Sequence, residues 1–205
     1  MLDRILITGA HSTGKTTLCH ALRDRFAEMT AAGEAPEWTL VEETARSLMK
    51  RDGWTREDVG KVEFQQALRT EQLWIEISVS RPYVADRCIL DPIAYTALNH
   101  PSSVWLPLLH DPDVQGLLTS YRSREKTLIV HLLPVPAFSH DDGVRAVSQS
   151  PDEWWALTKA FERVLEEAGV EWVSMDVETQ VLQERVDKVV GWMRHKEKYI
   201  GAVGE

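Results

Sequence analysis

Residues Gly9 to Thr17 read G-A-H-S-T-G-K-T-T and fill every fixed place of the pattern G-x-x-x-x-G-K-[ST], directly after the apolar run Ile5-Leu6-Ile7. A chain carrying this segment has little choice of local fold: a strand, a tight loop, then a helix whose first turn faces the loop. Gly9 and Gly14 let the backbone turn so that successive N–H groups converge on phosphate oxygens, where a β-carbon would obstruct the approach. Lys15 supplies countercharge for the β- and γ-phosphates. Thr16 offers a hydroxyl to Mg²⁺ at a helix start whose positive dipole end faces the same anion. The expected phosphate cradle comprises Gly9, His11, Ser12, Thr13, Gly14, Lys15, Thr16 and Thr17.

Composition narrows the setting of that loop. At 205 residues the expectation is one domain over residues 1–205. Twenty-three basic against 32 acidic residues give a net charge of −9, which disfavours a general electrostatic grip on nucleic acid or anionic lipid, so phosphate binding must be local. Cys19 and Cys88 form neither a C-x-x-C pair nor a secreted framework. No stretch has the apolar length of a membrane span, and the first strand begins near Arg4, so the chain reads as soluble and cytoplasmic.

Short β-rich runs at 4–8, 38–42, 83–86, 127–133 and 171–175 alternate with helical segments, the α/β signature. Apolar stripes at Leu18, Leu22 and Phe26, at Phe64, Leu68, Ile75 and Val79, and at Leu182, Val186, Val189 and Met193 mark helix faces turned to a core. Thr55-x-x-Asp58 predicts the start of the long middle helix, Ser150-Pro151-Asp152-Glu153 another start, and Asp91-Pro92 a third. The loop-like stretch 134–149 is long enough to be a lid, with the lid region set at about 134–168. Trp154 and Trp155, just beyond that loop, read first as packing residues.

Three further polar clusters fall where α/β sheets gather ligands. Asp86-Arg87 ends a strand: the carboxylate suits a hydroxyl proton or a Mg²⁺ site, and the guanidinium suits an anionic group or transferring charge. Glu43 and Arg46 follow the second strand in the same way, and their alternative reading is a helix start with solvated side chains. Gln65 is placed either to hydrogen-bond an acceptor or to face solvent. Within the long loop, Arg145 follows the hinge-like Gly143, while His140, Asp141 and Asp142 make a poor metal set because no matching spacing accompanies them.

G-A-H-S-T-G-K-T-T, E-E-T-A-R, A-D-R-C-I-L-D-P-I-A-Y and D-D-G-V-R, in that order and spacing, resemble the P-loop kinase-like family that includes nicotinamide riboside kinases and, more distantly, thymidylate-type nucleotide kinases. The resemblance implies a five-stranded parallel sheet flanked by helices with a mobile lid, and ATP with Mg²⁺ as phosphoryl donor. It also implies a nucleoside-like or nucleotide-like acceptor. Asp86 and Arg87 then match the strand-end pair near the acceptor, Thr16 and Asp86 the metal side, and Arg145 the lid arginine. A regulatory nucleotide switch acting on a protein or lipid is the alternative. Its commonest form is disfavoured: Asn99 is the single asparagine, so no N-K-x-D guanine-reading motif exists, and the D-x-x-G match at Asp113 to Gly116 follows no apolar strand.

Overall fold

A computed structural model describes residues 2–80, 82–138 and 151–202 of the chain. Five strands, β1 (Arg4–Gly9), β2 (Thr39–Val41), β3 (Tyr83–Asp86), β4 (Thr127–Leu132) and β5 (Trp172–Met175), form one sheet of order β2-β3-β1-β4-β5. Every pairing is parallel. Central β1, β3 and β4 are apolar and almost wholly buried, as a sheet covered on both faces requires, whereas the edge strands β2 and β5 are only partly buried. The expected five-stranded parallel sheet is thus present, with strand bounds shifted by a residue at several ends.

Alternation along the strands divides the core. Ile5, Ile7, Val84, Leu128 and Val130 face one side, where they meet Leu18, Leu22 and Phe26 of α1 (Lys15–Ala31) and Val186, Val189 and Met193 of α8 (Leu182–Ala202). Leu6, Ala85 and Ile129 face the other, packing with α3 (Val62–Ser78), α4 (Leu90–Asn99), α5 (Ser102–Leu109), α6 (Pro112–Tyr121) and α7 (Pro151–Glu167). A satellite cluster of Leu48, Phe64 and Leu68 joins α2 (Ala45–Asp52) to α3 beside the sheet's carboxyl edge.

The structure refines two of the expected helix starts. The capping box of Thr55 and Asp58 is formed, but it caps a short 3-10 turn over Arg56–Asp58; α3 begins only at Val62, once Gly60 and Lys61 have redirected the chain. The helix expected at Asp91-Pro92 is present as α4, which starts one residue earlier at Leu90; Asp91 is buried in its first turn, and its carboxylate accepts from the N–H of Cys88 at 3.0 Å. Of the expected lid region, residues 151–167 form α7, whose Trp154, Leu157, Phe161 and Val164 pack in the core.

Glu76 locks α3 to the sheet. Its buried carboxylate accepts hydrogen bonds from Tyr83 Oη at 3.0 Å, Gln72 Nε2 at 2.9 Å, the Ile89 N–H at 3.0 Å, and from the Tyr121 hydroxyl. Burial pushes its pKa up, while these four donors pull it back. Glu76→Ala strands four donors in the interior and should lower unfolding free energy by about 3–5 kcal/mol, since each buried unsatisfied group costs about 1–3 kcal/mol and some will rehydrate. Urea titration checks this, and a loss below about 1 kcal/mol would show that the network is not structural.

Candidate active site

The carboxyl ends of β1, β2 and β3 deliver three loops to one place. After β1, Gly9 takes φ +134°, and a β-carbon there would lie 2.6 Å from the Leu132 carbonyl oxygen of neighbouring β4; only glycine permits that approach. Gly14 takes φ +83° immediately before α1, and Ser12 adopts φ +56°. Thr13 Oγ1 ties the loop to itself through the Ala10 carbonyl at 2.9 Å. Trp154 of α7 supports it from outside: its indole N–H donates to the His11 carbonyl at 2.9 Å. That role joins packing to the loop and was not legible in the sequence, because α7 lies 143 positions away.

Lys15 folds over its own loop. Its Nζ donates to Gly9 O at 2.9 Å and to Ala10 O, and lies 3.3 Å from Thr13 Oγ1. Burial, then the nearby Arg87 charge, lowers its pKa to about 7 against the opposing pull of Asp86, Asp91 and Glu43. The next side chain, Thr16, donates from Oγ1 to Asp86 Oδ2 at 2.6 Å. The register Ile7↔Asp86 makes this meeting possible by aligning the end of β3 with that of β1. Asp86 Oδ1 is buried with no hydrogen-bond partner, and burial raises the carboxyl pKa despite Lys15 and Arg87. One hydroxyl and one under-satisfied carboxylate form a hard-oxygen donor set, which fits a Mg²⁺ ion held largely through phosphate oxygens and water.

Arg87 follows at φ +82°, a conformation costly for a residue with a side chain. Its guanidinium donates through Nε to Glu43 Oε1 at 2.7 Å and through Nη1 to Asp91 Oδ1 at 3.2 Å, and lies 5.6 Å from the centre of the Tyr95 ring. Asp91 is held in turn by Thr8 Oγ1 at 2.8 Å. The expected residues Glu43, Asp86, Arg87, Lys15 and Thr16 therefore converge. Arg46 is exposed, with Nε 3.8 Å from Glu43 Oε2, and lines the cleft on the Tyr95 side of Arg87. Gln65 turns inward: Nε2 donates to Val59 O at 2.6 Å and buried Oε1 has no partner, while Gln66 faces solvent.

Sequence reading missed Asp91 and Tyr95 as members of this cluster. Their spacing from Arg87, four and eight residues along the start of α4, was the available signal. Arg145, His140, Asp141 and Asp142 lie outside the described residues.

Two clefts meet at these side chains. One follows the phosphate loop from Ser12 to Thr17. The other opens between α2, α3 and α4, with Met49, Phe64 and Leu68 as apolar wall and Gln65, Gln72 and Tyr95 as polar groups. Glu43 and Arg87 line both.

The family model described as an AAA domain matches residues 4–185. No curated protein sequence matches the chain significantly. Among solved structures, deoxyadenosine kinase from M. mycoides with the products dCMP and a flexible dCDP bound is 13% identical, with a TM-score of 0.61 over 94% of this chain and 98% of that one. NadR protein in complex with NR is 21% identical with a TM-score of 0.68; the match covers 94% of this chain but 52% of NadR, so the chain spans about half of that protein's length. Shikimate kinase from Acinetobacter baumannii in complex with shikimate is 13% identical with a TM-score of 0.57, covering 96% of each chain. At such identities the likeness is one of fold.

Proposed function

Since the chain belongs to the AAA domain family and shares its fold with structures of small-molecule kinases, we propose that it is an ATP- and Mg²⁺-dependent kinase acting on a hydroxyl of a nucleoside-like acceptor. The observation that carries this reading is the pair of clefts joined at Glu43 and Arg87. A switch that only senses a triphosphate needs the first cleft; a transferase needs a second, aimed at the γ-phosphate position.

The chemistry then follows from placement. Backbone N–H groups of the loop and the Lys15 ammonium hold the triphosphate. Thr16 and Asp86 are the residues that would hold Mg²⁺, whose charge would offset that of the phosphates. Glu43, at the junction, is the carboxylate placed to take the proton of the acceptor hydroxyl. Arg87, oriented by Glu43 and Asp91, presents its remaining N–H groups where transferring charge develops. Because Glu43 and Asp91 already engage Arg87, and Arg46 lies 3.8 Å from Glu43, the guanidinium groups of the cleft are already countered, which favours an uncharged acceptor over a phosphorylated one. Gln65 Oε1 and the apolar wall suit a ring that carries an N–H donor.

The test is acceptor-dependent ADP formation by the purified chain across nucleosides, nucleoside monophosphates and small polyols. Turnover is expected with nucleosides and weaker or absent with their monophosphates. If no member of the panel is phosphorylated while ATP or GTP changes affinity for a protein or a lipid vesicle, the chain is a nucleotide switch instead.

A further inference from the structure

Arg185, in the first turn of α8, is the largest of the buried side chains among the described residues, at 2% exposed. It sits behind the phosphate loop. Its Nη1 donates to the Thr13 carbonyl at 3.0 Å, and a β-carbon on Gly14 would lie 2.8 Å from that nitrogen. Its Nε donates to the Thr179 carbonyl at 3.0 Å, in the loop after β5. That loop is itself braced, because Asp176 accepts from Thr179 N–H at 2.8 Å and from Lys188 Nζ at 2.8 Å. The Phe138 ring covers the guanidinium at 5.1 Å and shields it from water. Nη2 is buried without a hydrogen-bond partner, and among the described residues no carboxylate forms an ion pair with this cation.

Two physical consequences follow. A buried cation without a paired anion is costly, and the cost falls when negative charge enters nearby. The carbonyl that Arg185 grips belongs to the same peptide unit as the Gly14 N–H. In a trans peptide the two point in opposite directions, so holding Thr13 O from behind aims the Gly14 N–H forward into the loop. A charged donor on the oxygen also polarises that N–H and strengthens it as a donor.

We propose that Arg185 is a positioning residue for the phosphoryl donor: it orients and polarises the Thr13–Gly14 peptide, and its buried charge is balanced by the polyphosphate that the loop takes. The proposal rests on the phosphate-loop part of the kinase reading and is independent of the acceptor.

The 205-residue wild-type chain, Arg185→Lys and Arg185→Gln are titrated calorimetrically with ATP and with inorganic tripolyphosphate, which has no base or sugar. Glutamine keeps an N–H donor without charge, and lysine keeps charge. The expected result is loss of affinity on the order of tenfold or more for both ligands in Arg185→Gln, with Arg185→Lys within about threefold of wild type. Unchanged binding by the glutamine variant, or equal losses in both variants, overturns the charge role. Should Arg185→Gln fail to fold, a lysine variant weakened more than about tenfold does the same. Wild type that binds neither polyphosphate would overturn the phosphate-loop reading, and this proposal with it; wild type that binds both but phosphorylates nothing would leave this inference standing and overturn the kinase alone.

Discussion

Asp86→Asn should leave ATP binding measurable yet slow phosphoryl transfer on the order of a hundredfold or more. The amide preserves size and can still meet Thr16 Oγ1 across the 2.6 Å contact, so the loop and the end of β3 should stay in place. What disappears is the negative charge at Oδ1, the buried oxygen with no hydrogen-bond partner. Thr16 would then be left to hold Mg²⁺ without the carboxylate, and transferring charge would be less well neutralised. Single-turnover rates at saturating ATP, with Mg²⁺ titrated in parallel, separate binding from chemistry. A variant with wild-type turnover would exclude Asp86 from the reacting centre. An acidic substitution, Asp86→Glu, should recover part of the rate by restoring the charge with displaced geometry.

Lys15→Ala should abolish detectable transfer, a loss on the order of a thousandfold or more, because it removes the only ammonium seated within the described phosphate loop. The ammonium also spans the Gly9 and Ala10 carbonyls, so a modest loss of stability should accompany the loss of activity. Its pKa of about 7 adds a second readout. Phosphates beside Lys15 favour its charged form, so binding raises its pKa. Above pH 7 the free lysine is mostly neutral and the bound one charged, so nucleotide binding takes up a proton and affinity falls as pH rises, by up to about tenfold per pH unit. Below pH 7 both states are protonated and the dependence fades. Calorimetry in buffers of different ionisation enthalpy measures the uptake. Lys15→Arg, permanently charged, should bind without it. Proton release, or no exchange at pH 8, would contradict the assignment.

The local chemistry of this chain was legible from one dimension. Gly9, Gly14, Lys15 and Thr16 are contiguous and sit on a strand-loop-helix unit, so their mutual geometry is set almost entirely by short-range sterics and the helix that Lys15 begins. The α/β class was equally readable, since short β-rich runs alternate with helical stripes, and the family resemblance implied that the sheet is parallel. Asp86 and Arg87 were identifiable as a strand end.

Which residues meet was decided by the tertiary fold. Strand order β2-β3-β1-β4-β5 places the end of β3 beside β1 and thereby sets Asp86 against Thr16, 70 positions away, and Arg87 against Glu43, 44 positions away. The inward turn of Gln65 depends on α3 packing over α2, and Arg185 reaches Thr13 across 172 positions only because α1 and α8 share a face of the sheet. A residue's type restricts the chemistry it can perform, and its neighbours in sequence restrict its backbone. Its partner, its burial and therefore its charge state arise from long-range packing, where a buried arginine behind a glycine loop and a solvated one on a helix are written with the same letter.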